Sequence, residues 1–196
     1  MLNISSASNP TVSTLFKYLL SGLITVNIFT QSAISAENLP TTGEQKTLVL
    51  MVNFQENPDE KPLTTEEAIS LVFGDVNDFY QQNSYGQSWL SGQVAGWFTL
   101  PLSNQVCDFS SVQQKADESA ILAGVPLNNY DRIIYLMTNT ACISEGLGTM
   151  EETPSRAYIN GTFTARLIAH ELGHNFGLQH SHALDCGEQT LSENCL

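Results

Sequence analysis

The eleven residues His170-Glu171-Leu172-Gly173-His174-Asn175-Phe176-Gly177-Leu178-Gln179-His180 space three imidazoles and one carboxylate as H-E-x-x-H-x-x-G-x-x-H. On a helix His170 and His174 lie one turn apart on the same face. Their ring nitrogens can therefore reach one zinc ion at roughly 2.0–2.1 Å. Glu171 sits beside the pair, placed to accept a proton from water at the metal without itself being a ligand. Gly177 permits a positive φ, which ends the helix and turns the chain back so that His180 arrives as third ligand. Three protein ligands leave the fourth tetrahedral position open, the mark of a catalytic rather than a structural zinc. Five fixed positions at about 1 in 20 each give a chance match of roughly three in ten million per start site. The rival reading is an amphipathic helix with histidines along a polar face. All four histidines of the chain fall between positions 170 and 182, and three occupy ligand positions, which favours one catalytic Zn2+. His182 reads as a surface residue or a neighbour of the ligands. The sequence assigns no calcium requirement.

The elements that must position these residues alternate between strand and helix. Residues 47–54 form a near-continuous apolar run, as in a strand buried on both faces. Thr64 with Glu67 makes a capping box for a helix from about 65. Gly74-Asp75 predicts an interruption, with Asp75 capping a continuation through Gln82. Helix capping is preferred to calcium binding for Asp75 and Asp78. Residues 87–100 read as a hairpin with Ser91-Gly92 at its turn. A helix over 109–123, a strand over 131–138, a Gly-rich loop over 145–149 and a strand over 156–160 follow. Asn160-Gly161-Thr162 then leads into the zinc helix, capped by Thr162 or Thr164. The same three residues form a glycosylation sequon. On the zinc helix Leu167, His170 and His174 share one face, while Ile168 and Leu172 face the sheet and hold the ligands rigid.

Composition agrees with an exported protein. The first 36 residues hold no Asp or Glu, one basic residue (Lys17), and an apolar run from Tyr18 to Phe29 followed by small residues. This is a signal-peptide pattern with cleavage after Ser35 or Ala36, and the run is short for a membrane anchor. The expected localisation is secreted or extracellular, periplasmic if the source is bacterial, with no stable membrane insertion after cleavage. Residues 37–196 carry all 20 acidic residues and all but one of the seven basic ones. That acidity argues against nucleic acid and anionic membrane as partners. Cys107, Cys142, Cys186 and Cys195 fit disulfides in an exported chain. They allow three pairings, among which the sequence does not choose.

The zinc motif followed by Ser181 resembles the metzincin clan of zinc peptidases. The run from His170 to Leu178 is similar to both reprolysins and the gametolysin family. A second stretch resembles a pattern shared by gametolysin-type and immune-inhibitor-A-type peptidases. It comprises Asp78-Phe79-Tyr80, Asn83-Ser84-Tyr85-Gly86, Leu90, Gly92, Val94, Gly96-Trp97-Phe98 and Leu100-Pro101. The immune-inhibitor type departs at the third ligand, where Asp is expected and this chain has His180. Reprolysins typically follow the third His with Asp, where this chain has Ser181. The gametolysin family fits best, over most of residues 46–186. Some algal gametolysins place Gln at the first ligand position, and His170 departs from them.

The resemblance implies an α/β (α+β) fold: a metzincin-like upper catalytic subdomain whose twisted mixed sheet packs on helices, the zinc helix among them. It implies an edge strand that binds extended peptide and a polypeptide substrate, extracellular or cell-wall glycoproteins included. It also implies a lower subdomain with a methionine beneath the histidines. Methionines stand at 1, 51, 137 and 150, and 16 residues follow His180. The expectation is a signal peptide over 1–36, then the N-terminal part of a zinc metallopeptidase catalytic domain over 37–196. That domain is expected to be truncated before the Met-turn, with the lower subdomain missing. The expected activity is zinc-dependent endopeptidase, with Glu171 as general base and acid. The alternatives are a zinc-binding but inactive fragment or peptide-binding module, and a zinc hydrolase acting on a non-peptide bond.

Overall fold

The computed structural model describes residues 40–150 and 152–181. The expected signal peptide, His182, Cys186 and Cys195 lie outside them. Among the described residues no helix is long and apolar enough to cross a membrane.

Five strands form one sheet: β1 (Gly43–Phe54), β2 (Ser88–Leu100), β3 (Arg132–Met137), β4 (Gly146–Gly148) and β5 (Ser155–Asn160). Their order is β2-β1-β3-β5-β4. The first four of these run parallel, and β4 pairs antiparallel with β5 at the edge. Parallel strands need long crossovers: helical segments over 65–83 and 109–122 follow β1 and β2, whereas the connection from β3 to β5 carries β4. The sheet is mixed and packed on helices, as the resemblance implies.

Residue alternation along β1 and β3 sorts the core onto two faces. Val49, Met51, Ile134 and Leu136 point to one side, where they meet Val72, Val76, Ile168 and Leu172. Leu48, Leu50, Val52, Ile133 and Tyr135 point to the other, against Val112, Ala116 and Ala120 of α3 (Phe109–Leu122). Met51 and Met137 are thus sheet residues, fully buried. The side chain of Asp108 caps α3 by accepting from Ser111 N.

Three local expectations are corrected. The helix from Thr65 carries the predicted capping box, with Thr64 N donating to Glu67 Oε2 and Glu67 N donating to Thr64 Oγ1. It is not interrupted at Gly74-Asp75. Helix α1 (Thr65–Ile69) passes through a π-helical stretch, Ser70–Val76, into α2 (Asn77–Asn83), and Asp75 caps nothing. The wider turn absorbs Gly74 without breaking the helix. Residues 87–100 are not a hairpin but one long strand parallel to β1. Gly92 marks close backbone approach rather than a turn: it has φ +151°, and a Cβ there would overlap the Thr47 carbonyl. The Gly-rich stretch at 145–149 is not a loop, since Gly146–Gly148 pairs with β5 as β4.

Candidate metal centre

Helix α4 (Ala165–Asn175) crosses beneath the sheet with Thr164 as its N-cap, its hydroxyl accepting from Leu167 N at 3.3 Å. Ile168 and Leu172 are fully buried in the core and fix the rotation of the helix. His170 and His174 are thereby left on the opposite, solvent-facing side. The helix ends in a Schellman motif. Leu178 N donates to Gly173 O and Gly177 N to His174 O, both at 2.9 Å, with Gly177 at φ +84°. The reversal returns His180 to the first two histidines.

Potential ligand atoms of His170, His174 and His180 all lie within 4.8 Å of one another, and among the described residues no other such group occurs. Nε2 of His170 and Nε2 of His180 are 3.1 Å apart. Tetrahedral zinc at ordinary Zn–N lengths separates its ligand nitrogens by roughly 3.3 Å; the His170–His180 pair is near that spacing, and with His174 inside the same 4.8 Å the three imidazoles could hold such an ion. Nδ1 of His174 lies 2.8 Å from the Leu178 carbonyl. A carbonyl only accepts, so Nδ1 carries the proton and Nε2 keeps its lone pair for a metal.

Glu171 is 6% exposed. Burial raises its carboxyl above the ordinary range, against the lowering pull of His174, His180 and the Gly148 backbone N–H. Its side chain lies against Gly146 of the edge strand. The same cleft, about 1230 Å³, takes in the three histidines and Glu171, with Ser144 and Leu178 on its walls. Leu147 and Met150, both substantially exposed, continue a groove along β4 beside the histidines.

The wall between β3 and β4 is organised by Asn160, only 3% exposed. Its Oδ1 accepts from Thr140 N, and its Nδ2 donates to the carbonyls of Cys142 and Ser144. The amide of the sequon is thus buried and committed to structure. Cys142 is bonded to Cys107, which joins this wall to the segment before α3.

Several supporting residues carry no motif signal. Tyr80 donates to the Ala169 carbonyl of α4 at 2.7 Å and packs on Phe176, and burial pushes its hydroxyl far above its ordinary pKa. Asn175 Nδ2 donates to Thr149 O and Arg156 O, tying the end of α4 to β5 and to the residue that follows β4. Arg132 is fully buried, and burial pulls its guanidinium down to about 10. A single cation at the head of an apolar strand was the available clue to it.

No curated protein matches this chain. Fifteen chains of solved structures do. One of them, described as "Structure of a chaperone-substrate complex", is 14% identical, with a TM-score of 0.49 and coverage of 74% of this chain. This chain spans 25% of the length of that one. The family model of Metallo-peptidase family M12 matches residues 46–195.

Proposed function

This chain belongs to Metallo-peptidase family M12, and on that premise we propose that it is an exported, zinc-dependent endopeptidase of gametolysin type. One observation carries the reading: three imidazoles converge within 4.8 Å at a cleft that also holds a buried carboxylate, Glu171. His170, His174 and His180 are the zinc ligands, and Glu171 is the general base and acid. The disulfide between Cys107 and Cys142 supports an oxidising destination.

When bound, zinc lowers the pKa of a water molecule to about 7 and polarises the scissile carbonyl. The chain's own residues do the rest. Leu178, through its carbonyl, fixes the tautomer of His174. The edge strand β4 offers its free side to an extended polypeptide, which it aligns by β-augmentation beside the histidines. Glu171 accepts a proton from the attacking water and hands it to the departing amine. Extracellular or cell-wall glycoproteins are the proposed substrates.

The test is hydrolysis of a quenched fluorescent peptide panel by the chain, with an ester panel alongside. Glu171→Ala is expected to keep one zinc per chain and lose peptide hydrolysis. Undiminished cleavage by that variant would remove Glu171 from the mechanism, and cleavage confined to esters would remove peptides as the substrate.

A further inference from the structure

We propose that Arg132 is a positioning residue for the metal centre, gripping the C-terminal end of α4 and so setting the affinity of the three histidines for zinc. The inference rests on the ligand assignment above and extends it to a residue that touches neither substrate nor metal.

Arg132 opens β3, between Thr47 of β1 and Ser155 of β5. Its Nη1 donates to the Asn175 carbonyl at 2.8 Å and to Ser155 Oγ at 2.9 Å. Its Nε and Nη2 both donate to Gln45 Oε1, at 3.0 and 2.7 Å. The guanidinium lies against the face of Phe176, 4.0 Å from the ring centroid. Among the described residues no carboxylate forms a salt bridge with it. A fully buried charge held by neutral acceptors is a costly choice, because an apolar side chain would fill the volume without desolvating a cation.

What the cation gains is the end of a helix. The last carbonyls of a helix have no intrahelical partner and carry the negative end of its dipole. Asn175 O is one of them, and Arg132 satisfies it from inside the sheet. The next residue, Phe176, is held between the guanidinium and Tyr80, whose ring centroid is 4.7 Å away. Gly177 then reverses the chain, Leu178 O meets His174 Nδ1, and His180 closes the triad. Arg132 therefore fixes the two residues from which that turn departs. Two ligands ride on a rigid helix, whereas the third arrives through this turn. A loosened helix end costs metal affinity before it costs the fold.

The experiment uses the full chain and the variants Arg132→Lys, Arg132→Met and Phe176→Leu. Phe176→Leu removes the ring beneath the guanidinium but none of its hydrogen bonds, and it serves if the arginine variants do not fold. Zinc affinity is measured by competition with a chromophoric chelator, the visible bands of the cobalt-loaded protein report ligand geometry, and urea midpoints are taken without metal. Ile133→Val, on the far face of the sheet, is the control for general destabilisation. The expected result is zinc affinity weakened about tenfold or more with altered cobalt bands, neither of them shared by Ile133→Val. Folded variants with wild-type affinity and bands would overturn the proposal, as would an equal loss of affinity in the control. A His180→Ala variant that binds zinc as tightly as the wild type would overturn the ligand assignment itself, and this inference with it.

Discussion

A Cβ added to Gly146 would overlap Oε1 of Glu171 and lie 2.7 Å from its Cγ and Cδ. The edge strand and the buried carboxylate thus share one boundary. The atoms in the way belong to a flexible side chain, and Gly146 itself has no left-handed φ. Gly146→Ala is therefore expected to move the carboxylate while the backbone stays in place. A misplacement near 1 Å can cost about 100-fold in rate. The prediction is kcat reduced roughly 10–100-fold with zinc affinity and urea midpoint near wild type. Steady-state kinetics beside a zinc titration checks it, and an unchanged kcat would show that Glu171 works from a second position.

Removing a ligand should cost more than removing what supports it. Loss of an outer hydrogen-bond partner typically weakens a metal site about 10–100-fold. His170→Ala, His174→Ala and His180→Ala are each expected to exceed that range, because the cluster supplies only three nitrogens. Chelator competition on each purified variant gives the answer. Full affinity in any one of them strikes that histidine from the ligand set.

The convergence of the three histidines was legible in the sequence because its spacing rules are local: a four-residue interval is one helical turn, and a glycine seven residues after the first histidine is a turn-maker. The buried run of β1 and the core face of α4 were legible for the same reason. The failures share a physical cause. Gly92 and the 145–149 glycines signal either a turn or a close approach, and only tertiary contact with Thr47 and Glu171 decides between them. Residues 87–100 alternate as a hairpin strand would, yet long crossovers made the strand parallel to β1. Arg132, Tyr80 and Asn160 act through partners far away in sequence, such as Asn175, Ala169 and Cys142. No spacing rule reaches that far.

The disulfide separates two contributions to the cleft wall. Cys107 and Cys142 are 35 residues apart, and a closed loop of that size stabilises the folded state by about 3–4 kcal/mol in the chain-entropy account. The double variant Cys107→Ser with Cys142→Ser is expected to lose about that much in urea denaturation. Zinc affinity should change little, because Asn160 continues to hold Cys142 O and Ser144 O through its own amide. A large loss of zinc affinity would mean that the wall, and not α4 alone, shapes the metal centre.

Gly177 offers the sharpest test of how the third ligand is delivered. Its φ is +84°, and a Cβ there meets nothing within 4 Å. The whole cost of Gly177→Ala is therefore backbone conformation, about 1–2 kcal/mol for a left-handed residue with a side chain. Asn tolerates that region better, so Gly177→Asn should fall between alanine and wild type. The Schellman bonds from Gly177 N and Leu178 N form only in this conformation, and Leu178 O in turn holds His174. The strain should then appear twice. One effect is a lower urea midpoint for the metal-free chain, and the other is a zinc affinity reduced in the same order, wild type above Asn above Ala. A fall in stability with zinc affinity untouched in both variants would mean that His180 finds its place without this turn.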